Sequence, residues 1–145
     1  MLLISHRGNI KGVNPKLENS PSYITNALNE GFDVEVDVFY ENSKIYLGHD
    51  APQYEVDENF IKNKKIWCHA KTIEAMFFLS KINCIYYWHQ NDDITLTSNG
   101  YFWTFPGKQL TSNSIAVLPE RFENFVLNKN VAGICSDFIT KYLKK

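Results

Sequence analysis

Four short stretches carry the residues with chemical reach: SHRG at 5–8, DVEVDV at 33–38, YLGHD at 46–50 and CHAK at 68–71. Two of their histidines, His6 and His49, suit proton transfer, because imidazole alone titrates unperturbed near neutral pH. Glu35 and Asp37 alternate with valines, so in a strand both project to one side, as oxygen ligands for a hard cation should. Each residue also has a plainer reading. His6 can serve as a turn residue after a strand. Glu35 and Asp37 can form the solvated face of an edge strand, which shows the same alternation. Arg7 can be an ion-pair partner of Glu18. His69 reads as a third metal ligand, a substrate contact or a satisfied interior histidine. His89 reads as a core residue or one behind the site, and Asp92 and Asp93 read as a capped turn.

The elements that must hold these residues are short and alternate in type. LLIS (2–5) reads as a strand. SPSYITNALNEG (20–31) reads as a helix, with Ser20 as cap, Pro21 in the first turn and Gly31 at the end. Ile24, Ala27 and Leu28 form its apolar stripe. DVEVDVF (33–39) is a strand that ENSK returns as a hairpin into IYLGHD (45–50). KIWCHAK (65–71) is a strand, followed by a helix capped by Thr72. NCIYYWHQ (83–90), YFWTF (101–105), SIAVLPE (114–120) and VAGICSD (131–137) are further strands. A short helix is expected between the last two, and FITKYLKK (138–145) is expected to close the chain as another. Alternation of this kind predicts an α/β fold with a mainly parallel sheet.

Size and composition bound the answer. A chain of 145 residues fits one domain, spanning 1–145, with a real core. A net charge of −1 gives no sign of a nucleic-acid or membrane-surface partner. No apolar run approaches the ~20 residues that a membrane helix needs. The opening MLLIS is too short for a signal-peptide core, so a cytoplasmic location is expected. Cys68, Cys84 and Cys135 are odd in number, lack C-x-x-C spacing and sit in apolar stretches, which predicts buried free thiols.

The order of motifs carries a resemblance. HRG (6–8), LENS (17–20), a helix ending in EGFDVEVDV, then LGHD (47–50) resemble the glycerophosphodiester phosphodiesterase family, within the phosphatidylinositol-phospholipase-C-like superfamily. That family reads H-R-G, P-E-N-T, helix, E-x-D-V and H-D in this order. LENS departs from PENT. KIWCHAK falls where the family has E-x-K, so Lys71 matches the lysine while His69 stands in place of an acid. GICSD (133–137) resembles the last strand, which ends in a T-D pair.

The resemblance implies a TIM-barrel-like (β/α) fold. A complete barrel needs about 200–250 residues, so the expectation is a reduced or incomplete one, mainly parallel with a hairpin arm. It implies His6 and His49 as general base and acid, and Arg7 and Lys71 as phosphate contacts. Glu35 and Asp37 become ligands of a divalent ion, Mg²⁺ or Ca²⁺. His69 as a third ligand would favour Mn²⁺ or Zn²⁺ instead. Trp88, Tyr101, Phe102 and Trp103 are core residues by default, with one or two, Trp103 among them, at the pocket mouth to stack on a sugar or glycerol face. The expected activity is metal-dependent cleavage of a small-molecule or glycan phosphodiester, of glycerophosphodiester or sugar type. Two alternatives stand beside it: a phosphate-binding domain without turnover, and a lyase that stops at a cyclic phosphate.

Overall fold

The computed structural model describes residues 1–123 and 130–143. Among the described residues, ten strands form one curled mixed sheet with few helices. In chain order they are β1 (Leu2–His6), β2 (Asp33–Glu41), β3 (Lys44–Leu47), β4 (Tyr54–Val56), β5 (Ile66–Ala70), β6 (Ile85–Trp88), β7 (Ile94–Leu96), β8 (Phe102–Thr104), β9 (Ser114–Val117) and β10 (Gly133–Ser136). The helices are α1 (Pro21–Asn29), α2 (Glu58–Ile61) and α3 (Ile73–Leu79). Two 3₁₀ turns lie at Pro119–Arg121 and Ile139–Tyr142.

Seven strands run parallel as neighbours in the order β6-β5-β2-β1-β10-β9-β8. The rest is antiparallel: β3 and β4 fold back on the far end of β2 as a hairpin arm, and β7 pairs with β8. Among the described residues no ladder joins β6 to β8. Instead Ser98, just past β7, exchanges two 2.9 Å hydrogen bonds with the backbone of Tyr86 in β6. A closed TIM-like barrel is therefore not what the ladders draw; the sheet is curled and partly antiparallel.

Strand parity explains the two cores. Val34, Val36 and Val38 are fully buried with Ile66, Cys68 and Ala70, against Ile24 and Ala27 of α1 and Ala75 and Leu79 of α3. Burying a valine side chain fully contributes about 1.5–3 kcal/mol. The opposite parity of the same strands, with Ile4, Trp67, Tyr87, Trp103, Ile115, Val117 and Cys135, fills the concave side. The strand β2 is paired with β1 on one edge and β5 on the other, so it is central. The edge-strand reading of Glu35 and Asp37 fails for that reason: both are buried, at 2% and 0% exposure.

Local signals were mostly met. Thr72 caps α3, its hydroxyl accepting from the Ala75 N–H at 3.2 Å. Ser20 occupies the cap position of α1, but its hydroxyl makes no hydrogen bond there; the Pro21 start carries the helix instead. Residues 94–104, where at least one strand is expected, hold two joined by a tight turn. The three cysteines are free; Cys68 and Cys135 are buried and Cys84 half-buried. The helix expected between β9 and β10 falls mainly on 124–129, outside the described residues. The closing helix is a 3₁₀ turn over Ile139–Tyr142. No helix among the described residues is long and apolar enough to cross a membrane.

Candidate active site

Parallel strands place their C-terminal ends along one rim, and the polar residues of the concave side collect there. His6 ends β1. Its register neighbour on β2 is Glu35, and two residues further Asp37 lies beside His69 of β5. Ser5 pairs with Ser136 of β10, so the next residue, Asp137, falls beside His6. His89 follows β6 directly, and Lys71 follows β5. His49 is carried by the hairpin arm through Gly48. That glycine is required, because any Cβ there would collide with the Ala51 carbonyl oxygen.

The buried carboxylates divide the work. Asp37 is saturated with partners. Its Oδ2 meets Arg7 Nε at 2.9 Å and accepts from Asn19 Nδ2 at 3.0 Å. Its Oδ1 lies 3.1 Å from His69 Nδ1 and 3.4 Å from Lys71 Nζ. Burial pushes the Asp37 carboxyl up, but the His69 hydrogen bond and the Arg7 and Lys71 charges outweigh it and hold it well below the usual carboxylate range. Glu35 is the opposite case. Among the described residues its buried Oε2 has no hydrogen-bond partner, with His6 Nε2 3.8 Å away, and Oε1 lies 3.9 Å from His69 Nδ1. Burial first, and the Asp37 charge second, push its pKa up.

A buried carboxylate without a partner is costly, by roughly 1–3 kcal/mol, and calls for an explanation. A cation supplies one. Glu35, Asp37 and His69 each offer a ligand atom, all within 4.8 Å of one another, and this group could hold a metal ion. The His69 ring fits that use. Its Nε2 faces the His89 carbonyl oxygen at 2.9 Å, an acceptor, so Nε2 carries the hydrogen. Its Nδ1 faces the Asp37 carboxylate, also an acceptor. With Nδ1 protonated the ring donates twice; with Nδ1 free its lone pair points at the carboxylates, as a metal ligand would.

His6 and His49 each face a carboxylate through Nδ1. Asp137 Oδ1 lies 2.6 Å from His6 Nδ1 and also accepts from Asn9 Nδ2 at 2.8 Å. This fixes the proton on Nδ1 and leaves Nε2 as a base facing Glu35. Burial raises the Asp137 carboxyl, but the His6 hydrogen bond outweighs it and lowers the pKa. His49 Nδ1 lies 2.6 Å from Asp50 Oδ1, at an exposed position. Arg7 adopts a left-handed backbone (φ 55°), a conformation that costs a non-glycine residue about 1–3 kcal/mol. That strain turns its side chain between Asp37 and Glu18, the latter at 3.2 Å from Nη1. The expected Arg7–Glu18 pair is thus present.

No protein-family model, curated protein or solved structure matches this chain. The site therefore rests on its own geometry. Two adjoining cavities open over it. The inner one, about 140 Å³, is lined by His6, Glu35, His69, Tyr87, Trp103 and Arg121 among others. The outer one, about 320 Å³, includes His49, Lys71, Trp88 and Gln90. Arg7, His69, His89 and Phe105 line both. His6 and His49 thus lie on the same rim but in neighbouring cavities. Trp103 is 3% exposed and packs on Tyr87 at 4.6 Å, so it floors the inner cavity from the core.

Several site residues had no role assigned from the sequence, although Asn19 lies in LENS and Asp137 in GICSD. Asp137 was visible only as the acid after the last strand. Asn9 and Asn19 lie in the loop after β1, where each donates to a buried carboxylate. Glu120 accepts from Ser136 Oγ at 3.0 Å and from the Asp137 N–H at 2.8 Å, pinning the end of β10. His89 has two buried ring nitrogens without a hydrogen-bond partner; Asp92 Oδ2 stands 3.6 Å from Nδ1. Burial, then the nearby His69, lower its pKa.

Proposed function

We propose that this chain cleaves a phosphodiester by histidine acid–base catalysis, with a divalent cation held by Glu35, Asp37 and His69. The observation that carries the reading is the His6–Asp137 pair, which leaves His6 Nε2 free beside the buried Glu35 Oε2, an oxygen with no hydrogen-bond partner among the described residues. A base, His6, in one cavity with Glu35 and His69, and Asp37 buried behind them, suit attack on an anionic centre. The run of seven parallel neighbours fits an abridged TIM-like barrel, whose chemistry lies at the C-terminal rim.

His6 Nε2 takes the proton of the attacking hydroxyl, from substrate or water, as the new P–O bond forms. His49 gives a proton to the departing alkoxide as the old P–O bond breaks. The two exchange roles if a cyclic phosphate is opened by water in a second step. A bound divalent cation supplies positive charge to the non-bridging oxygens. Lys71 and Arg7 hold Asp37 ionised and oriented. A glycerol- or sugar-type diester is the substrate class, with Trp103 and Phe105 offering apolar ring surface beside it. Mg²⁺ or Ca²⁺ suits the two carboxylates, and the nitrogen of His69 adds Mn²⁺ and Zn²⁺ to the candidates.

The test is hydrolysis of bis(p-nitrophenyl) phosphate with added Mg²⁺, Ca²⁺ or Mn²⁺, against chelator. Cation-dependent release that His6→Ala abolishes is the expected result. No release with any of these cations, or release indifferent to His6→Ala, rules the reading out. Phosphorus NMR of a glycerophosphodiester reaction then separates a hydrolase from a lyase that stops at the cyclic product.

A further inference from the structure

The cations that the sequence offers for phosphate are already occupied. Arg7 lies between Asp37 Oδ2 and Glu18 Oε2, at 2.9 and 3.2 Å, with Glu35 adding a third negative field. Lys71 faces Asp37 Oδ1 at 3.4 Å. Both side chains are mostly buried in these contacts. An anion entering the inner cavity, which Arg7 lines, or the outer one, which Arg7 and Lys71 line, must share them with carboxylates that have prior claim.

Arg121 is placed differently. β9 ends at Val117, and Leu118 takes a left-handed conformation (φ 44°, ψ 51°) that breaks the strand direction. Pro119 then opens a 3₁₀ turn closed by the Arg121 N–H on the Leu118 carbonyl at 3.0 Å. Inside that turn Glu120 is anchored inward on Ser136 and Asp137. The next residue, Arg121, lines the inner cavity with a side chain 57% exposed. Its one ion pair among the described residues is a long one, Nη2 to Asp137 Oδ2 at 3.4 Å. Asp137 is meanwhile held on Oδ1 by His6 and Asn9. A guanidinium carries five N–H groups in a planar fork that matches phosphate oxygens. Among the described residues most of that fork is unused.

Resting on the phosphodiesterase reading above, we infer that Arg121 is the principal phosphate clamp of this site. It grips the non-bridging oxygens of the diester across the inner cavity from Glu35, while Arg7 and Lys71 organise the carboxylates. The loop after β9 thereby becomes part of the binding site. Glu120, which pins the end of β10, and Leu118, which is buried in the concave-side core, also set the turn that presents the guanidinium.

The experiment titrates inorganic phosphate into wild type, Arg121→Gln, Arg121→Ala and Arg121→Lys by calorimetry. It then measures KM and kcat on bis(p-nitrophenyl) phosphate with the cation that gives the fastest wild-type rate. A charge-assisted bidentate contact is worth tenfold or more in affinity, so Gln and Ala should weaken phosphate binding roughly tenfold. KM should rise by a similar factor, kcat should change less, and Lys should recover part of the loss. Near-UV circular dichroism should be unchanged, because the guanidinium is exposed. Wild-type phosphate affinity in either the Gln or the Ala variant overturns the clamp, as does a wild-type protein that binds no phosphate. Phosphate binding that depends on Arg121 in a protein without diesterase activity keeps the clamp and removes the catalytic reading. Intact hydrolysis with phosphate affinity indifferent to Arg121 does the reverse.

Discussion

Asp137 Oδ1 stands 2.6 Å from His6 Nδ1, though 131 residues separate them in the chain. The two meet because β1 and β10 are parallel neighbours in a register that pairs Ser5 with Ser136. The contact decides which ring nitrogen of His6 is free. With Nδ1–H donated to the carboxylate, only Nε2 can accept a proton from a nucleophile.

Replacing Asp137 by Asn should therefore lower kcat strongly while leaving the fold in place. The amide can offer its NH₂ to Nδ1 and so favour the wrong tautomer. A general base typically contributes ~10²–10⁴-fold, and His6→Ala should lose an amount in that range. Asp137→Asn should lose at least a tenfold share of it. Steady-state hydrolysis of bis(p-nitrophenyl) phosphate checks both, and an Asp137→Asn rate within twofold of wild type would contradict the assigned tautomer. His49→Ala should also fall into the His6→Ala range if His49 is the acid.

The cation site can be tested apart from turnover. Glu35→Gln keeps the shape and removes the carboxylate whose Oε2 has no hydrogen-bond partner among the described residues. Calorimetric titration with Mn²⁺ or Mg²⁺ should show binding lost or much weakened. The metal-free protein should be at least as stable as wild type, because a buried ionised carboxyl without a partner is a cost. Unchanged metal affinity in this variant would place the ion elsewhere.

Acid should destabilise the protein in a defined window through Asp137. Its carboxyl titrates below its ordinary value of 3.8 because the His6 bond outweighs burial. A depressed folded-state pKa means that the unfolded chain takes up the proton first as pH falls. The stabilisation is thus full above about pH 3.8 and disappears as pH drops through the folded value. Urea midpoints measured in chelator between pH 2 and about 6 should fall on the acid side. The fall should be shallower for Asp137→Asn than for wild type. Parallel acid limbs would mean that the pair contributes nothing.

Asn19 is a structural residue with a measurable role. It takes a left-handed backbone (φ 61°), and its amide clasps Asp37 on both sides. Nδ2 donates to Oδ2 at 3.0 Å, and Oδ1 accepts from the Asp37 N–H at 2.9 Å. Asn19→Ala should destabilise by roughly 1–3 kcal/mol, because it leaves a buried N–H unpaired. Denaturant unfolding measures this directly; a change below a few tenths of a kcal/mol would show that water replaces the amide.

How much of this was legible before folding follows from the range of each interaction. The alternation of valine with Glu35 and Asp37 put both carboxylates on one face, because side-chain parity in a strand is local. The strands, the β2–β3 hairpin and the Thr72 cap were readable for the same reason. Three-residue strands such as β4 and β7, and the one-turn α2, are too short for periodicity to mark. Whether the carboxylates face water or the interior was undecided, since an edge strand shows the same pattern. Pairing of β2 with both β1 and β5 buried them. The contact of Asp137 with His6, the buried and unpartnered oxygen of Glu35 and the presentation of Arg121 depend on register between distant strands and on a turn anchored by Glu120. No local spacing encodes those distances; they exist only once the parallel ladders have aligned the strand ends on one rim.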